Sequence, residues 1–436
     1  MKPLSCRDRL EQALARIADP KGEGARTCLT VYADEARAAA DAADARFAHG
    51  VSLGPLDGAI VSIKDLFDVA GEPTRAGSKV LADEAKPAKA DAAIVRRLRA
   101  GGAVIVAKTN MSEFAFTAVG VNPHFGTPGN PRDRARAPGG SSSGAAVAAA
   151  DDFCEIAIGT DTGGSVRIPA ALCGITGFKP SKQRVPTGGA FPLSDTFDSI
   201  GPLAKSVAGC AKADAVLSGA DLAGDDFAPL APAALAGLRF GIAQGLPLSA
   251  LDQTVAAAFA QAITRLDGAG VRLTEETLPL FDGMAEVDAK GGVLTPEACA
   301  VHRERIARRG AEIDPNVRAR IERGCAVAAA DYIALLRERA RLVRAMDAAL
   351  SPLDVLVMPT APIVAPTIAE VADAQAFVVR NGALRRNTAI SNFFDLCAIS
   401  LPLPAPLPVG LMLVARNGCD RALLRIAAAV ENMLAG

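Results

Sequence analysis

The sequence predicts an α/β fold built on a largely parallel sheet. Short aliphatic runs alternate with amphipathic stretches at helical spacing, as βαβ units require. Half of the residues are hydrophobic, alanine dominates and tryptophan is absent, so the layers must pack through small and aliphatic side chains. A length of 436 residues allows two or three average domains or one large domain on one sheet; strands on both sides of the one connector-like stretch favour the latter.

The elements follow in order. Residues 7–50 are alanine-rich, and 36–48 reads as an amphipathic helix stopped by Gly50. Ala59-Ile60-Val61-Ser62-Ile63 and Ala103-Val104-Ile105-Val106-Ala107 read as strands, the second preceded by a helix over 91–100 and the stop Gly101-Gly102. Residues 126–144 are loop-like, with a basic run at 132–136; 144–150 is a helix of very small side chains. Ile156-Ala157-Ile158 is a short buried strand leading into a glycine turn. Residues 203–218 read as helix, 219–236 as an Ala/Pro/Asp-rich connector and 238–242 as a strand. Helices over 252–266 and 330–350 flank an irregular charged segment. The uncharged run 396–415 matches the ~20 residues of a membrane span, but prolines at 402, 404, 406 and 408 oppose a helix, so it reads as strand, turn and strand.

Charge and cysteine content narrow the function. With 47 basic and 48 acidic residues the chain has no electrostatic footprint for nucleic acid or an anionic membrane, which favours a small-molecule substrate. Nine cysteines without a C-x-x-C pair, behind a start that lacks an apolar leader, predict reduced thiols and a cytoplasmic location.

The chemistry centres on two glycine-framed turns, Gly139-Gly140-Ser141-Ser142-Ser143-Gly144 and Asp161-Thr162-Gly163-Gly164-Ser165, whose serines Ser141 and Ser165 stand 24 positions apart. Neither fits a phosphate-binding loop, a dinucleotide turn or a G-x-S-x-G elbow. The three histidines offer little as a base. His49 and His302 read as solvated surface residues, and His124 sits in a Pro/Gly-rich loop with no acidic neighbour in sequence. No metal-ligand spacing is present, so no metal is expected. Lys64, which closes a strand on the face of Ile60 and Ser62, is the remaining candidate, because burial lets a neutral lysine act as base.

These turns, with Ile63-Lys64-Asp65, resemble the three signatures of the amidase signature family of serine hydrolases. The spacing of the two serines fits as well. Further stretches carry the likeness, among them Ala107-Lys108-Thr109-Asn110-Met111-Ser112-Glu113-Phe114, Gly177-Phe178-Lys179-Pro180-Ser181, Asp198-Ser199-Ile200-Gly201-Pro202 and Met358-Pro359-Thr360. Residues 220–350 resemble the family only loosely.

The resemblance implies one domain over 1–436, with a central mixed, largely parallel twisted sheet covered by helices on both faces. The signature core spans about 55–210, and a variable helical region at about 250–350 is expected to set specificity. It further implies Ser165 as acyl-forming nucleophile, Ser141 as proton relay after a cis Gly140-Ser141 bond, and Lys64 as base. The backbone amides of Thr162, Gly163, Gly164 and Ser165 are the implied oxyanion hole, with Gly140 and Ser142 in support. Arg167 is expected to pair internally, and Asp195 and Asp198 to shape the loop after Phe191. Ser143, Ala107 and Met412 depart from the usual pattern.

The implied activity is hydrolysis of a carboxylic amide, and by extension an ester, anilide or carbamate, without a cofactor. A homodimer is compatible with it. Two alternatives stand beside it: the glutaminase subunit of a tRNA-dependent amidotransferase, set against by an expected greater length and by a glutamine-binding residue set not located in this sequence, and a catalytically silent binding protein of the same fold.

Overall fold

The computed structural model describes residues 4–219 and 230–435. Most of the 219–236 connector lies outside them. Eleven strands form one sheet: β1 Cys28–Val31, β2 Ile60–Lys64, β3 Val104–Thr109, β4 Ile156–Thr160, β5 Thr176–Lys179, β6 Ile200–Ala204, β7 Arg239–Ala243, β8 Arg272–Glu276, β9 Val355–Pro359, β10 Cys397–Leu403 and β11 Val409–Ala415. Their spatial order is β1-β3-β2-β4-β6-β5-β10-β11-β9-β7-β8.

The sheet is mixed. Four of its pairings are parallel, in two groups around β2 and β7, and six are antiparallel. The group around β2 contains the strands read from the sequence, whereas of the group around β7 only β7 itself was read as a strand. The antiparallel centre arises because the run 396–415 folds back on itself, pairing Cys397 with Ala415 through Leu403 with Val409, and because β6 inserts between β4 and β5. The prolines at 404, 406 and 408 occupy the bend and the approach to β11, where no helix is required of them.

Both faces of the sheet are covered, and the period-two alternation of strand side chains sorts residues between two cores. Val61 and Ile63 of β2, with Ile156 and Ile158 of β4, pack with Val207, Val216, Leu266 and Val430 on one face. Ile60 and Ala157 pack on the other with Ala36, Ala40 and the alanines of helix Ser143–Ala150. Lys64, four residues after Ile60, falls on the face of that helix. Alanines let the helix backbone approach the sheet closely, which holds the helix start beside the ends of β2 and β4.

The charged segment between 266 and 330 is ordered rather than irregular. It contains β8 and helices Leu280–Ala289, Leu294–Arg309 and Pro315–Cys325. Val317, Ile321 and Gly324 bury one stripe of the last of these, Asp314 caps it, and its charges face outward. Close packing of helices Leu294–Arg309 and Pro315–Cys325 also joins Cys299 to Cys325 in a disulfide with a Cα–Cα distance of 5.3 Å, so the expectation of uniformly reduced thiols does not hold. The other seven cysteines are free. Among the described residues no helix is long and apolar enough to cross a membrane.

Candidate active site

Lys64 ends β2 with its side chain wholly buried. Its Nζ is 2.8 Å from Ser141 Oγ and 2.9 Å from Thr160 Oγ1, and no carboxylate forms an ion pair with it among the described residues. Burial lowers its pKa from 10.5 to about 7, against the weaker upward pull of Asp198 and Asp161. A neutral amine here can donate to Thr160 while its lone pair accepts from Ser141.

Two other lysines are equally buried and differ in their partners. Lys179 donates to the carbonyls of Pro180 and Leu396, both at 2.8 Å. Lys108 Nζ lies 3.5 Å from Glu72. Burial alone therefore does not single out Lys64; its contact with a serine hydroxyl does.

The two glycine turns meet back to back at the ends of the strands. The Gly140-Ser141 peptide is cis. The Ser142 N–H donates to the Ser165 carbonyl at 3.3 Å, and Ser142 Oγ donates to the Thr160 carbonyl at 3.3 Å, which ties the first turn to β4. Ser143, one of the departures from the usual pattern, is buried with its hydroxyl unpartnered among the described residues. Ser165 retains 8% exposure while Ser141 and Lys64 have none, so of the three it alone is open to a substrate.

The second turn is organised by Asp161, whose role the motif alone did not reveal. Its carboxylate accepts from the N–H groups of Gly164 at 2.8 Å and Val166 at 3.1 Å, and from Arg167 Nε at 3.0 Å and Nη2 at 2.8 Å. Burial alone would raise this carboxyl's pKa, but Arg167, Lys179 and Asn392 together hold it well below the usual range. Arg167 is fully buried, and its remaining bonds run to the Thr388 carbonyl, Ser391, Asn392 and Met412. It pairs internally as expected, and Met412 meets it through Sδ. The clue to Asp161 was its place six residues before Arg167 within one motif.

This network revises the expected oxyanion hole. The Gly164 N–H is already engaged by Asp161. The N–H groups of Thr162, Gly163 and Ser165 have no acceptor among the described residues and remain available. Gly164 is instead required for shape: at φ +124° an added Cβ would lie 2.1 Å from Thr388 Oγ1. Asp198 shapes the following loop, accepting from the N–H groups of Leu193 and Ser194 and from Thr162 Oγ1 at 2.6 Å. Asp195 accepts Lys182 Nζ at its carbonyl, at 2.8 Å.

Two histidine expectations are corrected. His302 is buried rather than solvated, with its ring 4.1 Å from that of Phe114 and its Nδ1 2.9 Å from Arg305 Nη1. Burial and then Arg305 lower its pKa to about 3, so it stays neutral with Nδ1 occupied. His124 has an acidic neighbour after all, since the fold brings Glu113 Oε2 within 3.1 Å of Nε2. Cys173 is buried, donates to the Pro138 carbonyl at 3.3 Å, and is pushed upward in pKa by burial.

Ser165 opens on a small cavity of about 20 Å³ whose wall includes Thr162, Gly163, Phe116 and Leu193. A cavity of about 660 Å³ shares the Leu193 wall, one of about 450 Å³ lies apart, and neither is lined by Lys64, Ser141 or Ser165.

Residues 9–424 match the Amidase family. The chain belongs to that family. It is 36% identical to 2-amino-5-chloromuconic acid deaminase of Comamonas testosteroni over 92% of this chain and 86% of the relative. It is 35% identical to one of the subunits of the glutamyl-tRNA(Gln) amidotransferase of Anaeromyxobacter sp. (strain K), over 99% of this chain and 94% of that protein. The native peptide amidase of Stenotrophomonas maltophilia superimposes with a TM-score of 0.82 at 28% identity, covering 99% of this chain and 94% of that one. The amidase fold, a large mixed sheet flanked by helices, is thus shared over nearly the whole chain.

Proposed function

We propose that this amidase-family chain hydrolyses a carboxylic amide to an acid and an amine or ammonia through an acyl-serine intermediate on Ser165. The observation that carries the reading is the buried Lys64 amine, paired with Ser141 Oγ and in no ion pair with a carboxylate among the described residues. Ser165 Oγ attacks the carbonyl carbon while its proton moves to Ser141 and the Ser141 proton moves to Lys64. The negative oxygen is met by the amides of Thr162, Gly163 and Ser165. The C–N bond then breaks as the proton returns through Ser141 to the departing nitrogen, because an amide anion leaves poorly. Water attacks the acyl-serine by the same relay, releasing the acid.

Esters, anilides and carbamates present the same carbonyl to the same groups and fall within this proposal. The names of the relatives describe different substrates, so they support the class of bond rather than an acyl group. A second reading, the glutaminase subunit of a tRNA-dependent amidotransferase, is favoured by one observation: the match extends over 94% of the amidotransferase relative, so length does not separate the two.

The test is an assay of the purified chain against aliphatic amides, aryl amides, anilides, carbamates and glutamine, with acid and amine both quantified. Turnover of simple amides with no glutaminase activity supports the free-standing hydrolase. Glutamine as the sole substrate supports the second reading, and no turnover of any substrate contradicts both.

A further inference from the structure

Arginines outnumber acids at the mouth of the Ser165 site. Arg320, from helix Pro315–Cys325, and Arg385, from helix Ala374–Arg386, both line the cavity into which Ser165 opens. Arg320 makes no hydrogen bond or ion pair among the described residues; its guanidinium lies 4.4 Å from the ring centre of Phe116, another wall residue. Stacking of this kind leaves the in-plane N–H donors of a guanidinium free to bind.

The aliphatic stem of Arg385 covers the oxyanion turn, since a Cβ added to Gly163 would meet Arg385 Cδ at 3.3 Å. Its guanidinium has one acid nearby, the half-exposed Asp288 at 3.7 Å. Arg323 stands one helical turn beyond Arg320. Burial first, then repulsion from Arg385 and Arg323, lowers the Arg320 pKa to about 9, with Asp288 opposing. Among the described residues the one ion pair that these three arginines make is that of Arg385 with Asp288. Of the carboxylates beside the catalytic groups, Asp161 is paired with Arg167, and Asp198 is held by Thr162 Oγ1 and by the N–H groups of Leu193 and Ser194.

We propose that Arg320 and Arg385 form a carboxylate subsite beside Ser165, so that the substrate is an amide carrying a carboxylate close to the scissile carbonyl. The inference rests on the amide-hydrolase reading above. Guanidinium groups suit this task because their parallel N–H donors match the two oxygens of a carboxylate. The cavity of about 20 Å³ holds little more than a water molecule. Two of its walls are long side chains whose rotation enlarges it, so an entering carboxylate both displaces and pairs with them.

The test compares malonamate, succinamate and glutaramate with propionamide, butyramide and valeramide, their neutral counterparts of equal chain length. The subsite requires kcat/KM to favour the carboxylate at one length or more. Arg320→Gln should lower that preference by roughly 10- to 100-fold, mainly through KM, and Arg320→Lys should restore part of it. A preference at or below one at all lengths, or equal losses on both substrate sets in Arg320→Gln, overturns the subsite and leaves amide hydrolysis standing. If none of the six is hydrolysed, calorimetry of Ser165→Ala with succinamate separates the claims. Binding that Arg320→Gln abolishes supports the subsite and counts against hydrolysis; absence of binding overturns the subsite.

Discussion

Lys64 Nζ stands 2.8 Å from Ser141 Oγ at a strand end where, among the described residues, no carboxylate pairs with it. A lysine so placed has two protonation states of similar energy near neutral pH, and only the neutral one can accept a proton. That relationship, and the network holding the neighbouring turn, have measurable consequences.

The pH dependence has a defined sign. With a Lys64 pKa of about 7, kcat/KM should rise through a midpoint near that value and fall about tenfold per unit below it. Lys64→Arg, whose guanidinium does not deprotonate, should lose the activity at every pH. A rate that declines steadily from about pH 6 to 9 would rule Lys64 out as base.

Leaving-group chemistry tests the relay. Ser141→Ala should slow amides by more than activated esters, whose leaving groups depart without protonation. Equal losses on a matched amide and p-nitrophenyl ester would remove Ser141 from the proton path.

Lys64 also carries a stability signature. Its folded-state pKa of about 7 lies below the ordinary 10.5, so between these values the unfolded chain binds the extra proton and stability rises with pH. Lys64→Met should therefore be more stable than the parent, by most below pH 7 and by progressively less toward 10.5. Urea midpoints across this range report the difference, and a pH-independent difference would contradict a strongly depressed lysine.

Asp161 and Arg167 are wholly buried and bonded through two nitrogens. Asp161→Asn leaves the guanidinium uncompensated and should cost about 3–5 kcal/mol in unfolding free energy. It should also lower activity, because the same carboxylate holds the turn that presents Ser165. A variant with unchanged urea midpoint would mean the pair does not organise the turn.

How much of this was legible in sequence depended on range. Period-two alternation in Ile60 to Lys64 and the glycine stops around 101–102 are local signals, and they marked strands and helix ends correctly. The short strand Cys28–Val31 went unseen because it is four residues long, follows the one-turn helix Gly24–Thr27 directly and pairs with the distant Val104–Thr109. The helices between 280 and 325 were obscured by outward-facing charge that dilutes a narrow apolar stripe. His302 looked solvated because its neighbours Arg303, Glu304 and Arg305 are charged; its ring meets that of Phe114, a residue far away in sequence. The two serines expected to act stood in compact glycine-framed turns, whereas Lys64 was named only after the histidines were set aside. Which amide of the turn Asp161 occupies required the folded backbone.

The central claim is that Ser165 is a nucleophile activated by Lys64. Mass spectrometry of the intact chain after reaction with a fluorophosphonate tests it most directly. The expected result is one adduct per chain, on the peptide containing Ser165, absent in Ser165→Ala and formed far more slowly in Lys64→Met. An adduct on a different serine, or an unlabelled chain that still hydrolyses amides, would contradict it.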